Sequence, residues 1–283
     1  MIHDVQHQIR AIQLYTKRLM QANLFGRSKS MQKGDSLEFD QIRDYQLGDD
    51  VRSLDWKSSA RINKLLVKQF YEEKHCTILI ALDISASTFF GSEHNLKIAS
   101  ARQIAALLSY AAFLSKNEVG LLLFSEDKEW YIPPRMGKDH IYSILQKIFS
   151  FEPQKKQTNL AVVLDSITRL RKKNMMLFII SDFIDTEFEK QLALVAQQHD
   201  TIAIRIADPI EYKFDVPGLI TVQDCETNQE IIIKAGPQLA DFLKERMAHQ
   251  KKICIKNRVD VLDIILQKPA IDQLIHFFQL RKR

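Results

Sequence analysis

The chain has 283 residues, 46% hydrophobic and 27% charged, the composition of a globular protein with room for one large domain or two modest ones. The 40 Lys and Arg against 35 Asp and Glu leave a formal charge of +5, too small and too dispersed to argue for nucleic-acid binding by itself. The opening "MIHDVQHQIRAIQLYTKRLM" lacks the apolar core and small-residue cleavage site of a secretory signal. No apolar run approaches the ~20 residues of a membrane span. Cys76, Cys225 and Cys254 are far apart and odd in number, which suits reduced thiols rather than a disulfide frame or a zinc site. A cytoplasmic protein is the expectation.

Val5, Ile9, Ile12 and Leu19 recur at helical spacing and predict an amphipathic helix from about His3 to Gln21. Leu37 and Phe39 alternate with Glu38 and Asp40 as in a half-buried strand, "LGDD" reads as a turn, and "KLLVKQFYEE" as another strand. Residues 1–75 are thus expected to form a helix and a small β region, with Trp56 buried in the join to the α/β domain. From Thr77 the rhythm changes to buried strand, helix, strand. "CTILIALD", "VGLLLFS", "MMLFIISD", "TIAIRIAD" and "VDVLDIIL" are near-continuous apolar strands. Between them lies a long helix with Leu96, Ala99, Ile104, Leu107, Leu108, Ala111 and Leu114 on its apolar face. Shorter helices come next at "GKDHIYSILQKIFS", "TNLAVVLDSITRLRKK" and "EFEKQLALVAQQH". "KEWYIPP" is a hairpin partner stopped by two prolines. A second β-hairpin, within about 209–236, interrupts the pattern before "PQLADFLKERMAHQ" and "KPAIDQLIHFFQLRKR" return to helix. The fold class is α/β: a mostly parallel sheet over 76–283 with helices on both faces.

In such sheets ligands gather outside the carboxyl ends of the strands. The first apolar strand ends in Asp83-Ile84-Ser85-Ala86-Ser87, another ends in Asp182, and Thr158 stands in a loop before a helix. Two carboxylates and three hydroxyls suit a hard cation, magnesium or manganese, rather than zinc. Each piece also has an ordinary explanation. Asp and Ser after a strand cap helices and bond local amides, and Thr158-Asn159 is a natural cap pair.

The pieces "DISAS", "QTNLAVVL" and "IISDF" together resemble the metal-ion-dependent adhesion site of von Willebrand factor A domains. That resemblance implies a Rossmann-like fold and one divalent cation held by Asp83, Ser85, Ser87, Thr158 and Asp182. The preceding block "EFDQIRDYQLGDDVRSLDWKSSARINKLLVKQFYEE" resembles a bacterial family of unknown function whose members carry such a domain and accompany MoxR-type AAA ATPases. The matching residues include Glu38, Phe39, Arg43, Tyr45, Gly48, Asp49, Arg52, Asp55, Trp56, Ala60, Arg61 and Glu72. Read on its own chemistry, the block interleaves Arg43, Arg52 and Arg61 with Asp49, Asp50 and Asp55, a network that either braces the β region or meets a partner. Gly48 suits a turn of positive φ.

No Gly-x-x-x-x-Gly-Lys phosphate loop or Gly-x-Ser-x-Gly elbow occurs. A phosphatase built on Asp83 would want a second carboxylate two residues on, where Ser85 stands. The expectation is a non-catalytic adaptor whose magnesium or manganese site holds an acidic residue of a client, with a MoxR-type ATPase as co-worker. Neither nucleic acid nor a membrane span enters this reading. The rival is a metal-dependent phosphoester hydrolase.

Overall fold

The apolar run from Ile78 to Leu82 becomes the middle of a sheet because it has no polar side chain to give to water. In the computed structural model, which describes residues 37–72, 76–91, 96–155, 157–185, 187–211, 218–223 and 230–281, every residue of β3 (Thr77–Asp83) is buried. β3 pairs in parallel with β4 (Glu118–Phe124) on one side and β6 (Met176–Ser181) on the other. With β5 (Lys128–Arg135), β7 (Asp200–Ala207) and β10 (Asp260–Ile265) the order is β10-β7-β6-β3-β4-β5. All of these pairings are parallel except that of β5, which runs antiparallel to β4. The order reverses between β3 and β6, the topological switch point of a Rossmann-like sheet.

Alternation along β3 splits the core in two. Ile78, Ile80 and Leu82 face one cluster, shared with α2 (Lys97–Leu114), α3 (Lys138–Ser150) and α7 (Ala270–Arg281). Leu79 and Ala81 face the other, shared with α4 (Leu160–Thr168), α5 (Glu189–Gln198) and α6 (Pro237–Lys256). Phe178 meets Phe278 edge-on at 6.2 Å within the first cluster. The expected α/β sheet with helices on both faces is therefore observed.

The long helix differs from its expected form. Ile98, Ala101, Ala105, Ala106 and Ala112 are buried besides Ile104, Leu107, Leu108 and Ala111, whereas Leu96 and Leu114 are each 40% exposed and Ala99 is exposed. α2 is buried around most of its girth, so no single apolar stripe governs it. The helix begun by Leu160 stops at Thr168, short of the basic run that the sequence had placed in it. A two-stranded hairpin, β8 (Gly218–Gln223) and β9 (Glu230–Ala235), stands between β7 and α6. Cys225 and the expected helix at about 3–21 lie outside the described residues.

The chain divides into two compact units, with a boundary between His75 and Cys76. The described part of the smaller unit is a ribbon, β1 (Leu37–Asp44) antiparallel to β2 (Leu66–Glu72), with α1 (Trp56–Ile62) in the connection. The sequence reading had no helix here. Asp55 caps it, accepting from the Ser58 N–H at 3.3 Å and the Ser58 hydroxyl at 2.8 Å, and Asn63 ends it at φ 56°. Trp56, expected to be buried, is 64% exposed, because it occupies the first position of a one-sided helix whose buried member is Ser59.

Candidate functional site

The carboxyl ends of β3 and β6 bring the candidate residues together at the switch point. Leu82 is in register with Ile180, so Asp83 comes opposite Ser181 and one residue short of Asp182. Asp83 is fully buried. Its Oδ1 accepts from the Ser85 N–H at 2.9 Å and its Oδ2 from the Ser181 hydroxyl at 2.6 Å. The chain then turns through a 3-10 segment, Ala86–Phe89, which sets the Ser85 and Ser87 hydroxyls 3.0 Å apart. Both serines are buried.

Asp182 is held by its own turn, accepting from the Ile184 N–H at 3.3 Å through Oδ1. Its Oδ2 is buried and accepts no hydrogen bond. Buried carboxylate oxygens are costly without hydrogen-bond donors, and the charge that this one meets is the Lys97 ammonium, 3.7 Å away. Burial and the neighbouring Asp182 charge push the Asp83 carboxyl up to about 7, against the pull of the Ser181 and Ser85 donors.

Thr158 is half-buried in the loop ahead of α4. Asn159, not Thr158, caps that helix, accepting from the Val162 N–H at 3.0 Å. The Asn159 N–H donates to the Ser125 carbonyl just beyond β4, and the Leu160 N–H donates to Asp185 just beyond β6. The loop carrying Thr158 therefore spans between the strands that flank β3, along the same edge. The five expected positions share this edge, and all their donors are oxygens, the chemistry preferred by magnesium or manganese. Among the described residues no three His, Cys, Asp or Glu side chains cluster as a metal site, so this edge depends on hydroxyls to complete any donor set.

The sequence reading missed Lys97, Ser181, Asp185 and Asp208. Lys97 opens α2 and is 1% exposed, with its Nζ 3.7 Å from Asp182 Oδ2 and 5.5 Å from the centre of the Phe90 ring. A lysine in the first turn of a helix opposes the helix dipole, and here the buried Asp182 carboxylate offsets that cost. Asp208 is buried just after β7 and accepts from the Ile210 N–H at 2.9 Å.

In the smaller unit the interleaved charges are only partly a network. Arg43 pairs with Asp49 through two bonds of 2.7 Å, which holds the Asp49 carboxyl below and the Arg43 guanidinium above their ordinary values. Asp49 also accepts from the Gln46 N–H, closing the turn in which Gly48 takes φ 109°. The half-buried Tyr45 donates its N–H to the Leu65 carbonyl at 2.9 Å. Asp50 accepts from the Arg52 N–H, and Asp55 caps α1 with Lys68 at 3.9 Å. Arg52 and Arg61 are exposed and form no ion pair among the described residues, because their expected partners are engaged as caps.

Similar proteins add a family and a fold. The uncharacterized protein Mb1516 of Mycobacterium bovis is 27% identical over 286 residues, covering 97% of this chain and 89% of the relative. The uncharacterized protein Rv1480 of Mycobacterium tuberculosis matches to the same extent. The crystal structure of the conserved hypothetical protein BatB from Bacteroides thetaiotaomicron superposes with a TM-score of 0.50 at 14% identity, covering 73% of this chain and 98% of that one. At that identity the likeness is one of fold. The family profile described as "Protein of unknown function DUF58" matches residues 41–240, well over half of the sequence, and the chain belongs to that family.

Proposed function

We propose that this chain is a metal-dependent protein-interaction module, an adaptor that grips an acidic residue of a client and works with a MoxR-type AAA ATPase. The observation that carries this is the buried Oδ2 of Asp182, which accepts no hydrogen bond, beside Asp83, Ser85 and Ser87 at the switch point of the sheet. The motifs there resemble the adhesion site of von Willebrand factor A domains, and the block from Glu38 to Glu72 resembles that of MoxR-associated proteins. Asp83, Ser85, Ser87, Thr158 and Asp182 would hold the ion. When bound, magnesium or manganese supplies an electrophilic centre for an outside carboxylate. The chain's own part is orientation: the Ser85 N–H and Ser181 hydroxyl fix the Asp83 carboxylate, and the Ile184 N–H fixes that of Asp182. A cytoplasmic location belongs to the same reading, supported by the odd number and wide spacing of the three cysteines.

A single observation favours a phosphoester hydrolase instead. A carboxyl near 7, as at Asp83, is matched to proton exchange at neutral pH. Yet Asp83 is fully buried and committed to two donors, which leaves it poorly placed to reach a substrate. Pull-downs with the full chain separate the two readings. Client retention is expected to require magnesium and to vanish in Asp83→Ala, with no release of phosphate from nucleotides or simple phosphoesters. Magnesium-dependent turnover that disappears in Asp83→Ala would replace the adaptor by the hydrolase.

A further inference from the structure

We infer that Gln250 and Arg246 of α6 are positioning residues of the candidate metal edge, holding the turn that carries Asp182 in a strained backbone shape; this deepens, and rests on, the metal-dependent reading above. The strain lies at Phe183, directly after Asp182. Its φ is 55°, in the left-handed region that a bulky side chain adopts only when its surroundings impose it. Among the described residues the other non-glycine positions of positive φ are Asn63, Lys116, Asn174 and Arg258, and all four are exposed. Phe183 is 2% exposed. Three contacts impose its conformation. Its N–H donates to the Ser181 hydroxyl at 3.0 Å, its ring lies 5.9 Å from that of Phe188, and its carbonyl accepts from the Gln250 side-chain amide. Arg246, one helical turn before Gln250, donates to the next carbonyl, that of Ile184. α6 therefore grips two successive carbonyls of the turn. Its own place along the sheet is set by the buried Arg205 of β7, which donates to the Met247 carbonyl at 2.8 Å and through Nε to Asp263 of β10 at 2.8 Å.

Gln250 acts on Asp182 through one peptide group. The carbonyl it holds belongs to Phe183, and the N–H of that same planar unit, on Ile184, donates to Asp182 Oδ1 at 3.3 Å. In a trans peptide the two point in opposite directions, so fixing the carbonyl fixes where the N–H aims. The turn also reaches the far side of the edge. Asp185 accepts from the Leu160 N–H at 2.9 Å, at the start of α4 and two residues after Thr158. An ion held by Asp182 and Thr158 together needs a fixed separation between them, and the turn gripped by α6 lies between the two. Gln250 is buried on the face of α6 that also carries Ile253 and Cys254, where an apolar side chain would avoid the desolvation of an amide. The bond to Phe183 offsets that cost.

The test measures Mn2+ affinity of the full-length chain by electron paramagnetic resonance, at a temperature where circular dichroism shows each variant folded. Gln250→Met keeps the size and removes the donor, and is expected to weaken Mn2+ by roughly 10–100-fold. Arg246→Met changes a half-buried position and is expected to weaken it by roughly threefold or more, while Arg246→Lys keeps a donor and should restore most of the loss. Ile253→Ala is the control for stability alone. That truncation in the core of the same helix should lower the melting temperature and leave Mn2+ affinity unchanged. Should Gln250→Met fail to fold, the Arg246 pair decides. Wild-type affinity in the folded Gln250→Met variant, or in Arg246→Met where that pair decides, overturns the role of α6 and leaves the metal reading standing. So does a loss in Ile253→Ala as large as that in Gln250→Met. A wild type that binds no more Mn2+ than Asp83→Ala overturns the metal reading and this inference with it.

Discussion

Burying the Asp83 carboxyl costs the fold stability at neutral pH. Burial, joined by the Asp182 charge, raises its carboxyl from an ordinary value of 3.8 to about 7. Between those values the folded chain keeps a proton that the unfolded chain has released, so stability falls as pH rises through that window and stays low above it. Asp83→Asn can keep the bonds to the Ser85 N–H and Ser181 Oγ without the charge. In chelator it is expected to unfold later than the wild type above pH ~7, by on the order of 1–3 kcal/mol, and equally below pH ~4. Thermal denaturation at the two pH values checks this. Asp83, Ser85, Ser87 and Asp182 were legible because they come directly after apolar strands, where a polar residue at a fixed spacing stands out. Ser181 was not, since it closes β6 as one more small residue, and its partner lies 98 positions away. Lys97 was hidden for a different reason: lysine is ordinarily solvated, and only the folded chain shows the anion that draws it inside.

Strands and helices were read well where one pattern dominated. The apolar runs of β3, β4, β6 and β7 exceed anything a surface strand would carry, so their place in a two-sided sheet was legible. α1 was missed because its seven residues are mostly exposed and held by a cap rather than by periodicity. At α2 the search for an amphipathic stripe misled, since a helix buried on most sides has none. The β4–β5 pairing contains a close approach that sequence alone does not reveal. A Cβ on Gly120 would come within 2.8 Å of the Pro134 ring, at the point where the register shifts between Val119 and Leu121. Gly120→Ala is therefore expected to cost about 1–3 kcal/mol in urea unfolding, because a proline ring cannot swing aside. A core truncation sets the comparison: Phe178→Ala, fully buried against Phe278, should cost about 3–5 kcal/mol.

Across the molecule, the switch point explains why the candidate residues meet at all: only there do consecutive crossovers diverge and leave a crevice over two neighbouring strand ends. The opposite end of the sheet shapes behaviour in acid. His199, buried just before β7, accepts from the Met175 N–H at 3.3 Å and is pushed down to about 4, chiefly by burial and then by Lys173. The unfolded imidazole binds its proton near 6.5, so stability is lost as pH falls from there toward about 4. His199→Gln should remove that loss in melting temperatures taken against pH, whereas Asp83→Asn should remove a slope of opposite sign over nearly the same window. The prolines of β5 reach furthest. Pro133 and Pro134 are consecutive, so alternation leaves at least one missing N–H on the outward side of that strand. A neighbouring chain finds no regular ladder there to extend. Any partner that docked by contributing a strand to this sheet would be steered to the β10 border, and uncontrolled sheet growth from copy to copy has one border closed.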